Sequence, residues 1–128
     1  MKLAIVGLGG SYSDYIAARI RSEHFDEVWG INCVGGIIHV DKTIMMDPVS
    51  RFLDSDDAGS QTGIARKFLE KNTKPIITCE MDSRVKHLEL YPLEAVIKDL
   101  NVCYFNNTVP YAIAYAIYYG VKELCLYG

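Results

Sequence analysis

Residues 4–15 read AIVGLGGSYSDY: a continuous apolar run, a turn of glycines, and serines where a helix can begin. That order is the opening of a strand–turn–helix unit. Residues 3–6 form the first predicted strand. A helix follows over 13–23, with Ile16, Ala17 and Ile20 at helical spacing and Ser11 or Ser13 as N-cap. The alternation continues outward. EVWGI (27–31) and TIMM (43–46) read as the second and third strands, and residues 60–72 as a helix with Ile64, Phe68 and Leu69 on one face. KPIITC (74–79) is a fourth strand, and residues 92–100 are a short helix opening on proline, which suits a first turn. VCYF (102–105) is a fifth strand, residues 109–119 are a helix stopped by Gly120, and residues 122–127 are a sixth strand. PVSRFLDSDDAGS (48–60) is the most polar stretch and reads as a surface loop, and EMDSRVKHLE (80–89) as charged surface.

Strands that are continuous apolar runs and alternate with helices predict an α/β domain with a mostly parallel sheet covered on both faces. The expectation is a Rossmann-like three-layer sandwich of about six strands, a single domain over residues 1–128. The last strand ends at Tyr127-Gly128, at the edge where a functional loop is expected. The chain therefore reads as a small version of a larger design, or as one truncated after its last strand.

Composition excludes several functions. A formal charge of −3 with no run of Lys or Arg leaves no electrostatic footprint for bulk nucleic acid. The first apolar run is too short for a signal peptide or membrane span, so no membrane partner and a cytoplasmic location are expected. Cys33, Cys79, Cys103 and Cys125 match no CxxC pair or paired zinc framework. Each falls in or just after an apolar run, so the expectation is reduced, core-packed thiols and no metal.

The glycine turn is the first candidate site. A dinucleotide fingerprint wants G-x-G-x-x-G and an acidic residue after the second strand. Gly7 and Gly9 match, but Tyr12 stands at the third glycine and Asn32 where the acid belongs, which disfavours NAD. No cofactor is certain. Gly9, Gly10 and Ser11 can still offer backbone N–H groups, a hydroxyl and a helix dipole to a phosphate, or can simply pack helix against strand. Asn106, Asn107 and Thr108 fall between a strand and a helix, on the same carboxyl edge as Asn32. Asp47 closes the third strand there, placed to hold a ribose or to start an Asp-Pro turn. Helix capping is the plainer role for Asn107 and Thr108. His39 lies near the same edge and is the candidate general acid/base, whereas His24 and His87 read as structural or surface. Arg84 and Lys86 are possible phosphate neighbours, and Asp54, Asp56 and Asp57 read as a solvated loop. Tyr111, Tyr115, Tyr118 and Tyr119 read as core and interface before stacking platform.

The succession IVGLGGS, VWGIN, TIMMDP and NNTVPYAIAYAIYYGVKELCLYG resembles a group of Rossmann-like proteins. The group comprises the bacterial sialyltransferases of glycosyltransferase family 42, the 6-hydroxymethylpterin pyrophosphokinase-like proteins, and phage and prophage proteins. The phage type is the most similar, notably in FNNTVPYAIAYAIYYGVKEL. Gly7, Gly9, Gly10 and Ser11 fall on the group's first turn, with Gly10 in place of a proline, Asn32 on its asparagine, and Asn107 and Thr108 on its helix start. The resemblance implies a nucleotide or nucleotide-sugar ligand at those residues. The group's acidic residue after the final strand has no counterpart, which leaves glycosyl transfer open. The leading expectation is a small-molecule nucleotide-binding protein, possible as a transferase relative. The alternative is a non-enzymatic phage protein that sequesters a nucleotide or a host protein, and a third is an assembly domain without ligand. The apolar, tyrosine-rich last helix and terminal strand predict a homo-oligomer.

Overall fold

Six segments become strands, of which the four interior ones bury apolar side chains on both faces of a parallel sheet. In order along the chain these are β1 (Lys2–Val6), β2 (Glu27–Ile31), β3 (Lys42–Met45), β4 (Ile76–Thr78), β5 (Leu88–Leu90) and β6 (Glu123–Tyr127). The computed structural model describes residues 1–103 and 105–128. Every pairing among these strands is parallel, in the order β5-β4-β3-β2-β1-β6. The helices are α1 (Tyr12–Ile20), α2 (Val49–Asp54), α3 (Gln61–Lys71), α4 (Leu93–Leu100) and α5 (Thr108–Tyr118), with a 3-10 turn at Asn32–Gly36.

Alternation along β1 divides the core into layers. Leu3 and Ile5 point to one face, with Trp29, Ile44 and Ile77, and are covered by Val96 of α4 and by Ala112 and Tyr115 of α5. Ala4 and Val6 point to the other, under Tyr15 and Ala18 of α1 and Val34 of the 3-10 turn. Farther along that second face, Phe52 of α2 and Ala65, Phe68 and Leu69 of α3 close over Met45 and Ile76. Each large aliphatic or aromatic side chain so removed from water contributes about 1.5–3 kcal/mol. The result is the expected α/β three-layer sandwich. No helix among the described residues is long and apolar enough to cross a membrane.

The structure corrects four local expectations. The fifth strand is Leu88–Leu90, inside the charged 80–89 stretch, and the described residues of VCYF form no strand; Tyr104 lies outside the described residues. β5 is a three-residue edge strand that buries only Leu88, so it carries no apolar run. Residues 48–60 are no plain loop: α2 anchors there through Val49 and Phe52, an i, i+3 apolar pair. α1 turns Tyr15 and Ala18 inward, with Ile20 79% exposed, because an aromatic cluster of Tyr15, Phe25 and Tyr127 sets its face. Cys79 and Cys103 are exposed, where core packing was expected; all four cysteines are free thiols.

Candidate functional site

At the glycine turn, β1 lies between β2 and β6, so residues 7–11 leave the sheet beside the end of β6. The Gly7 N–H donates to the Tyr127 carbonyl at 2.8 Å, and the Gly128 N–H donates to Ser11 Oγ at 2.8 Å. A Cβ on Gly9 would come within 2.5 Å of the Gly128 carbonyl carbon, whereas one on Gly10 would meet nothing within 4 Å. Gly9 is thus required by the approach of another backbone. Ser11 stands at the α1 N-cap but makes no side-chain cap bond, its hydroxyl oxygen being engaged by Gly128. Asp14 adds a negative charge to the first turn of α1, which the helix dipole favours and which disfavours a second anion there.

An open cleft lies one and two strands away. It has a volume of about 640 Å³ and is bounded by Asn32, Asp47, Asn106, Asn107 and Thr108, with Phe105 and Tyr111 as apolar wall. Parallel β2 and β3 end side by side, which brings Asn32 and Asp47 together, and α5 begins opposite them. A second lobe of about 550 Å³ shares Asn32 and Asp47 and adds Leu8, Arg51, Asp57 and Gln61. The structure therefore gathers Asn32, Asp47, Asn107 and Thr108 around one space. Gly7, Gly9, Gly10 and Ser11 line neither lobe, and only their neighbour Leu8 reaches it.

Asn32 is the unusual member. Its φ of 54° places it in the left-handed region, which Asn tolerates better than most side chains. Its carboxamide oxygen is buried without a hydrogen-bond partner among the described residues. An unsatisfied buried acceptor of this kind costs about 1–3 kcal/mol. The neighbours are more conventional. Asn107 Oδ1 accepts the Val109 N–H at 3.0 Å, an N-cap bond that occupies this oxygen. Pro110 removes one further donor from the first turn of α5. Asp47 accepts from Arg51 Nη1 at 3.1 Å across one turn, so its charge is partly compensated.

Other candidates fall elsewhere. His39 is exposed, 3.7 Å from Asp41, and lines a separate groove beside α3. Arg84 is clamped by Asp54 at 2.6 and 2.9 Å and by Asp82 at 2.8 Å, which leaves little of it for a phosphate. That guanidinium lowers the Asp54 carboxyl and holds Asp82 down to about 2. Asp56 pairs with Arg66 at 3.3 Å. Among the described residues no group of three His, Cys, Asp or Glu is placed to hold a metal ion. Burial pushes the Cys33 thiol up, so it stays protonated beside the second lobe. Tyr115 is core, stacked on Trp29 and Tyr91, while Tyr118 and Tyr119 are exposed.

Sequence reading missed Arg51 and Phe105, and it read Tyr111 as core and interface before stacking platform, whereas Tyr111 lines the cleft. An i, i+4 pairing of Asp47 with Arg51 in DPVSR would have pointed to Arg51 had the segment been read as a helix. Phe105 carried no signal beyond apolarity. Compared with known proteins, the chain matches no family model, no curated protein and no solved structure.

Proposed function

We propose that this domain binds a nucleotide or nucleotide-sugar at the carboxyl edge of its sheet, with the sugar hydroxyls or base edge against Asn32 and Asp47. The observation that carries this reading is Asn32: a left-handed residue at a strand's carboxyl end with an unpaired, buried carboxamide oxygen, lining both lobes of the cleft. Backbone outliers and orphaned polar groups of this kind concentrate at ligand sites. Asp47 supplies an exposed acceptor, and Asn32 supplies one once its side chain turns the buried oxygen outward; acceptors suit hydroxyl and amine donors better than phosphate oxygens. A phosphate is better placed at the α5 N-terminus by Thr108, where the helix dipole favours an anion.

Binding without turnover is favoured by the lining itself. Among the described residues, neither lobe contains a histidine, its one cysteine is held as a thiol, and Asp47 is paired with Arg51. A factor of phage type that sequesters a nucleotide fits such a site, and a transferase is separated from it by whether the ligand is consumed.

The test is thermal unfolding against CMP, CTP, ATP, GTP, UDP-sugars and NAD. Asn32→Gly, which keeps the left-handed backbone, and Asp47→Asn are run alongside. Ligand at about 100 times its dissociation constant adds about 2.7 kcal/mol of stability. A shift with one nucleotide, lost in both variants, is the expected result; no shift with any of them overturns the reading.

A further inference from the structure

A second concavity, on the α3 side of the sheet, borders the second lobe of the cleft, with which it shares Leu8, Cys33 and Ile64, and its cationic end lies outside that lobe. Its volume is about 640 Å³, within the ~300–1,000 Å³ of typical small-molecule sites. Its walls are the loop after the 3-10 turn, one face of α3 and the connection into β4. The two ends differ in chemistry. Toward the carboxyl edge of the sheet lie Leu8, Ile37 and Ile64, which are 60%, 64% and 62% exposed, above the ring of Phe68. Toward the amino edge stand Lys67, Lys71 and Lys74, with His39 across from them. α3 runs from one end to the other, and Ile64 to Lys71 spans about 10 Å at 1.5 Å per residue.

Neither half is explained by folding. Three large apolar side chains so exposed around one groove mark a binding surface more than a monomer's surface. None of the three lysines forms an ion pair among the described residues, although the chain carries a net charge of −3. An apolar trough that ends in uncompensated cations is complementary to one kind of small molecule.

We propose that this groove binds an anionic amphiphile, an alkyl chain ending in a carboxylate, with its tail against Leu8, Ile37 and Ile64 and its head between Lys71 and Lys74. The tail would cover the exposed aliphatics, and the head would meet ammonium groups that have no other partner.

The experiment is calorimetric titration of the whole chain with dodecanoate below its micellar concentration, with dodecanol and acetate as probes lacking head charge or tail. Lys71→Glu/Lys74→Glu and Ile37→Asp are the variants; all three positions are exposed, and circular dichroism confirms that the variants fold. Dodecanoate should saturate at one molecule per chain, acetate should not bind, and dodecanol should bind more weakly. Reversing both lysines should raise the dissociation constant about tenfold or more, an effect that salt screens. Nucleotide binding should persist in the lysine variant, which separates failure here from failure of the cleft reading. Absence of saturable dodecanoate binding, equal binding of dodecanol, or indifference to the lysine reversal each overturns the proposal. Saturation by an acidic amphipathic peptide alone would overturn it too and assign the groove to a protein partner.

Discussion

Replacing Gly9 and Gly10 separately with alanine tests what the glycine turn is for. A Cβ at position 9 would sit 2.5 Å from the Gly128 carbonyl carbon and 3.1 Å from its oxygen, closer than a Cβ comes to other atoms without something shifting. Gly128 must move away, and two bonds move with it: Gly7 N–H to Tyr127 O and Gly128 N–H to Ser11 Oγ, both 2.8 Å. At about 0.5–1.5 kcal/mol net for each bond, Gly9→Ala should cost roughly 1–3 kcal/mol. In a chain of this size each kcal/mol lowers Tm by roughly 3–5 °C. Gly10→Ala meets open space and does not sit at positive φ. It should be neutral or stabilising by about 0.4–1 kcal/mol, because alanine restricts the unfolded chain. Urea denaturation with a shared m-value, followed by thermal melts, measures both. Equal stability of the two variants, or a loss confined to Gly10→Ala, would refute the packing argument. A Gly9→Ala protein of unchanged stability but weakened nucleotide affinity would return the turn to the phosphate role.

Acid stability should depend on Arg84. Asp82 is held at about 2 in the folded chain, against 3.8 ordinarily, by hydrogen bonds from the Arg84 side chain and backbone. A depressed carboxyl stabilises the fold above its unfolded pKa and loses that contribution as pH falls through the folded one. Arg84→Gln should therefore flatten the decline in stability between about pH 4 and pH 2, read by urea denaturation at stepped pH, and an unchanged slope would dismiss the clamp. Thr43 is fully buried and its hydroxyl has no partner among the described residues, so Thr43→Val should be neutral or stabilise by about 1 kcal/mol; a clear loss in the same assay would reveal a partner for that oxygen. β6 is an edge strand with Leu126 53% exposed, beside an α5 end where Ile117 and Tyr119 are each 53% exposed. An open apolar edge of this kind favours pairing of two copies, and light scattering should give a mass above that of one chain, whereas a clean monomer at high concentration removes the idea.

The parallel architecture was legible because its interior strands are buried on both faces and therefore read as unbroken apolar runs: Ile76 and Ile77 in β4, or Leu3 to Val6 in β1. β5 was not legible for the converse reason. An edge strand of three residues needs only Leu88 inside, and the charged neighbours that keep such an edge soluble hide it in a surface pattern. α1 shows a different limit. Apolar spacing pointed to Ile16, Ala17 and Ile20, but Ala18 offers close approach to the sheet and Tyr15 the ring that meets Phe25 and Tyr127, so shape outweighed hydropathy. The shared position of Asn32, Asp47, Asn107 and Thr108 was legible because topology alone carries strand ends to a common edge.

What sequence could not supply is which part of that edge stays open. A glycine turn permits close approach without saying whose approach it admits, and here the backbone of Gly128 lies against it. The residues beside β2 and β3 carry no glycine signature, yet they border the open space and include Asn32, whose buried carboxamide oxygen has no partner among the described residues. A close-packed fold leaves such an acceptor without a partner at a cost, and a ligand that draws the Asn32 side chain outward and donates to it can offset that cost, whereas an anion at Gly9 would have to displace the backbone of Gly128. The two stretches therefore exchange the roles their motifs suggest: the glycines hold the sheet's last strand, and the asparagine after β2 is the residue on which binding should turn.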